Sequence, residues 1–88
     1  MNKVKLLTQE KTWTYCEITD AVERRIAAFM KKAEAKDQEG KYEEGRGYKH
    51  WAYGVYLAWE EIARGYIEEN DYERLLKLTE EQISEKEA

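Results

Sequence analysis

The stretch from Gly45 to Ile67, GRGYKHWAYGVYLAWEEIARGYI, gathers aromatic side chains more densely than any other part of the chain. Tyr42 and Tyr72 extend the run at either end. From Tyr48 onward the apolar positions recur with the period of an α-helix. Tyr48, Ala52, Val55, Tyr56, Trp59, Ile62, Ala63, Tyr66 and Ile67 share one side, with Trp51 and Ala58 at its margin. That arc takes up about half of the circumference, wider than the ~100° stripe of an ordinary surface helix. Such a helix must be covered from two directions, and the other segments are read as its cover.

The size of the chain limits how that can be done. With 88 residues, a single domain of residues 1–88 with one modest core is expected, because chains of this size bury about 60–65% of their unfolded surface. Proline is absent, which suits uninterrupted helices. Charged residues of both signs make up 39% of the chain. The one cysteine, Cys16, cannot form an internal disulfide and is expected as a small buried hydrophobe. No apolar run reaches the ~18 residues of a membrane span, and the first residues lack a signal-peptide core. A cytoplasmic location follows as the expectation.

Upstream of the central helix, residues 3–8 and 12–18 flank the polar Gln9-Glu10-Lys11. Threonines, aromatics and alternation in Trp13, Tyr15 and Glu17 against Thr14, Cys16 and Ile18 predict a β-hairpin over 3–18. Helix 1 is expected over about 20–38, capped by Asp20 with Glu23 three residues on and ended by Gly40. Its apolar face reads Val22, Ile26, Phe29, Met30 and Ala33. Helix 2 is expected over about 42–69. Asn70 and Glu73 then have capping-box spacing for helix 3, about 71–86, with Tyr72, Leu75, Leu76, Thr79 and Ile83 as its stripe. The predicted fold is thus mainly α: an N-terminal β-hairpin on a three-helix antiparallel arrangement with a long central helix 2.

Charge is unevenly spread. Residues 1–67 hold twelve Lys/Arg against eleven Asp/Glu, whereas residues 68–88 hold three against eight. The net charge of −4 therefore belongs to the C-terminal segment. On helix 1, Arg24, Arg25, Lys31, Lys32 and Lys36 share one flank, with Ala28 and Ala35 between them. Helix 2 carries two further stripes. Gly47, Gly54, Ala58 and Gly65 lie on one line, and each interior glycine costs ~1 kcal/mol relative to alanine. Close approach of helix 1 or of a second protomer would compensate. His50, Tyr53, Leu57, Glu60, Glu61 and Arg64 form the other stripe, which puts apolar Tyr53 and Leu57 on a face that should be solvated.

These surfaces define the candidate functions. Catalysis is not expected: Glu60 and Glu61 lie nearly three turns from His50, the one histidine. No spacing suggests a metal or a cofactor. A protein-interaction module, an inhibitor or adaptor, is the leading expectation, with His50, Tyr53, Leu57, Arg64, Gly54 and Ala58 as its interface. Short, aromatic-rich, highly charged chains of this kind occur among accessory proteins of phages and mobile elements. The second expectation is a homo-oligomeric binder of a small anionic ligand such as a nucleotide, with Arg24, Arg25, Lys31, Lys32 or Arg46 on phosphate and an aromatic ring on the base. A nucleic-acid-binding accessory protein comes third, because such proteins normally show a clearly basic domain. A homodimer is expected, with helix 2 in its interface and the basic flank of helix 1 facing the acidic helix 3 of a neighbour.

Overall fold

The computed structural model describes residues 12–87, with side chains given through residue 80. It consists of α1 (Tyr15–Gln38), α2 (Tyr42–Ile62) and α3 (Glu69–Glu87). Among the described residues there is no strand, so the expected β-hairpin is overturned where it can be seen. Residues 3–11 of that hairpin lie outside the described residues. Its second strand, residues 12–18, is instead the entry to α1.

The reason is local. Thr14 is the N-cap: its hydroxyl accepts the Glu17 N–H at 3.1 Å, while the Glu17 carboxylate accepts the Thr14 N–H at 3.0 Å. This reciprocal box satisfies two donors that a helix start otherwise leaves open. The helix therefore begins at Tyr15 rather than near Asp20, and Asp20 is an exposed residue within it. The Trp13–Ile18 alternation does not mark two faces of a sheet. Tyr15 and Ile18 turn inward three residues apart, whereas Cys16, expected to be buried, is exposed.

α1 ends where Gly40 predicts. Gly40 has φ +83°, the Lys41 N–H reaches the Lys36 carbonyl at 2.9 Å, and the Gly40 N–H reaches Asp37 at 3.0 Å. These bonds form a Schellman motif, which turns the chain sharply into α2. The two helices then run antiparallel, as shown by contacts that pair Asp37 with Lys49 at 3.2 Å near the turn and Thr19 with Trp59 far from it. Gly45 permits the close crossing just after the turn, since a Cβ there would collide with Asp37 Oδ1.

The core lies where the aromatic arc predicts. Ile26 and Met30 from α1, Ala52, Tyr56 and Trp59 from α2, Ala63 beyond it, and Leu75 from α3 form one buried cluster. Trp59 is fully buried, and its indole N–H donates to Thr19 Oγ1 at 3.0 Å. α2 stops at Ile62, short of the expected 69. Gly65 adopts φ +89° and the chain turns there. Tyr66, placed on the buried arc by its spacing, is consequently 76% exposed.

Among the described residues no helix lies close against the glycine line. A Cβ at Gly47 or Gly54 would meet no described residue within 4 Å. Gly54→Ala is therefore expected to stabilise the protein by up to ~1 kcal/mol, the helix-propensity difference. A urea titration comparing midpoints checks this; a lower midpoint would mean that Gly54 is covered in solution.

α3 is fastened at its start. The Tyr15 hydroxyl donates to Asp71 Oδ2 at 2.7 Å and accepts the Glu68 N–H at 3.1 Å. Arg74 bridges Asp71 at 2.8 Å and Glu23 of α1 at 3.0 Å. The Tyr15 hydrogen bond, helped by Arg74, holds the Asp71 carboxyl below its ordinary range. Burial raises Tyr15. The helix thus docks by polar contacts at one end and by Leu75 and Thr79 further along.

Candidate functional site

Two edges of α2 carry large exposed apolar side chains, and they face different neighbours. On the α1 side, Phe29, Tyr48 and Trp51 form a triangle with ring centroids 6.2, 5.6 and 5.4 Å apart. The two contacts made by Trp51 are edge-to-face, the favoured geometry for aromatic pairs. Trp51 is nevertheless 60% exposed. Beside it opens a hollow of about 260 Å³ lined by Glu44, Gly47, Tyr48 and Trp51.

Cations border this cluster. The Arg25 guanidinium lies 5.6 Å from the Phe29 ring centroid, and Lys32 Nζ lies 5.9 Å from that of Tyr48. Both distances fall within the ~6 Å reach of a cation–π contact. Neither cation has a carboxylate partner among the described residues. Lys36 continues the row but is held by Glu44 at 3.3 Å and by Glu39 at 3.9 Å. Glu44 is the main cause of its raised pKa.

The α3 side is apolar and acidic. Tyr53 is 45% exposed, Leu57 44% and Tyr72 37%. The ring of Tyr56 joins them, 5.8 Å from Tyr53 and 6.2 Å from Tyr72. Its hydroxyl donates to Glu60 at 3.2 Å. Burial, then Tyr72 and Glu60, push the Tyr56 phenol upward, so it stays protonated. Glu69, Glu73 and Glu80 are exposed on the adjoining flank of α3, with the exposed Lys77 between Glu73 and Glu80. Leu57 also borders a wider hollow of about 540 Å³ with Glu60, Glu61, Arg64, Gly65 and Ile67.

The structure divides the residues singled out from the sequence. Arg25 and Lys32 come together at the aromatic edge, whereas Arg24 and Lys31 are exposed further round α1. Arg46 is turned about 200° from Tyr48 on α2 at ~100° per residue, so it does not join them. Tyr53 and Leu57 meet at the α3 edge. His50, Gly54 and Ala58 occupy the exposed back of α2, and Arg64 lies past its end, paired with Glu61. Phe29 and Tyr48 were read as core and Trp51 as its margin. Trp51 was the available signal, because a tryptophan at the edge of an apolar arc is half outside it.

Among the described residues no group of His, Cys, Asp and Glu could hold a metal ion, and no helix is long and apolar enough to cross a membrane. Comparison with protein-family models, with curated proteins and with solved structures finds no match to this chain.

Proposed function

We propose that the protein is an interaction module that docks an acidic segment of a partner protein, anchored by an apolar side chain, along the edge between α1 and α2. The observation that carries this reading is Trp51. It is 60% exposed yet fixed edge-to-face by Phe29 and Tyr48, with Arg25 and Lys32 beside the cluster. Tryptophan, tyrosine and arginine dominate binding energy at protein interfaces, where rigid rings provide area at little entropic cost. The uncompensated cations favour carboxylates opposite them. In an inhibitor or adaptor such occupancy is itself the output.

The same edge suits a phosphate ligand less well. The hollow beside Trp51 is lined by Glu44, Gly47 and Tyr48 and offers a phosphate group no cation within it. A nucleic acid would also meet a net charge of −4, against the electrostatic term that supplies most non-specific affinity.

The test is a titration with a labelled helical peptide carrying leucines on one face and glutamates on the other. Wild-type protein should bind it, more weakly as salt rises. Trp51→Ala and Arg25→Glu/Lys32→Glu should each weaken binding at least ~10-fold, about 1.4 kcal/mol, with thermal melts unchanged. Parallel titrations use a nucleoside triphosphate and a single-stranded oligonucleotide. Binding to either of these without binding to the peptide overturns the reading, as does silence from all three.

A further inference from the structure

We infer that the chain associates with itself head to tail, the α1–α2 edge of one copy seated on the α2–α3 edge of the next. This rests on the reading that the α1–α2 edge is a docking surface, and it names a second copy of the chain as occupant. Each edge has what the other lacks. One presents Trp51 and Tyr48 beside Arg25 and Lys32; the other presents Tyr53, Leu57 and Tyr72 beside Glu73 and Glu80. All four charged groups are exposed and none has an ion-pair partner among the described residues.

The spacing of the charges also agrees. Arg25 and Lys32 are seven residues apart on α1, and so are Glu73 and Glu80 on α3. Seven residues are two turns, so each pair lies on one side of its helix with a separation of ~10.5 Å along the axis. With Lys77 between the two glutamates and Ala28 between the two cations, the two rows can meet charge to charge at their ends while the aromatic side chains close over each other. Like-charged pairing, cation edge on cation edge, would set Arg25 and Lys32 against their own copies.

The two edges lie on opposite flanks of α2. Tyr48 and Trp51 are turned roughly 120–180° from Tyr53 and Leu57 at ~100° per residue. A contact that joins one flank to the other uses different surfaces on the two copies, and its symmetry is heterologous. The expected dimer with a two-fold axis through helix 2 gives way here to a contact that repeats, making a ring if the rotation closes and a chain if it does not. The rim charges set register, and the aromatic area provides the affinity.

The experiment uses two variants of the full chain and light scattering behind size exclusion at low salt. Arg25→Glu/Lys32→Glu disables one edge; Glu73→Lys/Glu80→Lys disables the other. Wild type should rise in mass with concentration from the 10.5 kDa of one chain. Each variant alone should associate at least ~10-fold more weakly, as charge mismatch at an interface demands. An equimolar mixture pairs the second variant's intact cationic edge with the first variant's intact acidic edge, and should also allow the two reversed edges to meet. Association should therefore return on mixing.

A wild-type mass that stays at one chain overturns the inference, as does one variant that associates as wild type does, or a mixture that stays apart. The peptide titration separates the two readings. If wild type binds the acidic peptide but never associates, only the self-association fails; if the peptide does not bind either, both fail. Circular-dichroism melts of each variant guard against loss of fold.

Discussion

Replacing Trp59 with alanine is expected to remove about 3–5 kcal/mol of stability, the usual result of truncating a large buried aromatic. Small domains are stable by about 5–15 kcal/mol, so the variant should be partly unfolded well below the wild-type melting temperature. The side chain is fully buried and touches Tyr56 at a centroid distance of 6.0 Å. It is also tied by its indole N–H to Thr19. Thr19→Val separates the two contributions: it keeps the shape, orphans the indole donor, and should cost about 1–3 kcal/mol. A thermal melt by circular dichroism reads both. An unchanged midpoint for Trp59→Ala would remove α2 from the centre of the fold.

Gly45→Ala is the second large effect, and its direction opposes helix propensity. An added Cβ would collide with Asp37 Oδ1 and sit 3.0 Å from the Ala33 carbonyl oxygen. Asp37 is not free to swing away without consequence, because it pairs with Lys49 at 3.2 Å where both side chains are largely covered. Overpacking of this sort costs about 1–3 kcal/mol, against a propensity gain of ~1 kcal/mol. The expected net result by those two magnitudes is a loss of up to about 2 kcal/mol. Urea denaturation measures it. In an Asp37→Ala background the loss should shrink, since the colliding atom has gone and neighbouring residues couple. Stabilisation by Gly45→Ala alone would show that the α1–α2 crossing is looser than described.

Much of this architecture was legible because helical periodicity reports burial along one element. Ala52, Tyr56 and Trp59 follow from spacing alone, as do Ile26, Met30 and Ala33. The N-terminal β-hairpin was misread because two local signals compete over residues 12–18. Aromatics and threonines there favour a strand, but Thr14 and Glu17 form a capping box, and each inward residue has a partner far along the chain. Thr19 meets Trp59 and Tyr15 meets Asp71, contacts that no local window contains.

The end of α2 was hidden for a similar reason. Tyr66 and Ile67 keep the helical spacing, but Gly65 takes a positive φ and turns the chain before them. For the candidate site, the cationic flank of α1 could be read directly. Its meeting with Tyr48 and Trp51 could not, because it depends on how α1 lies beside α2. The glycine line suggested a close helix at Gly54, whereas the close approach to α1 is at Gly45, near the turn.

The Tyr15 hydroxyl links two places that a diagram of the chain would draw far apart. It accepts from the backbone just before α3 and donates to a carboxylate in the first turn of that helix, while sitting itself in the first turn of α1. Helix ends ordinarily fray independently, each at little free energy. Here the opening of one start removes a partner from the other. The bonds Ile18 N–H to Thr14 and Tyr72 N–H to Glu68 are therefore expected to open together. In the language of hydrogen exchange, the amides of the two helix starts are expected to be protected together, as one foldon.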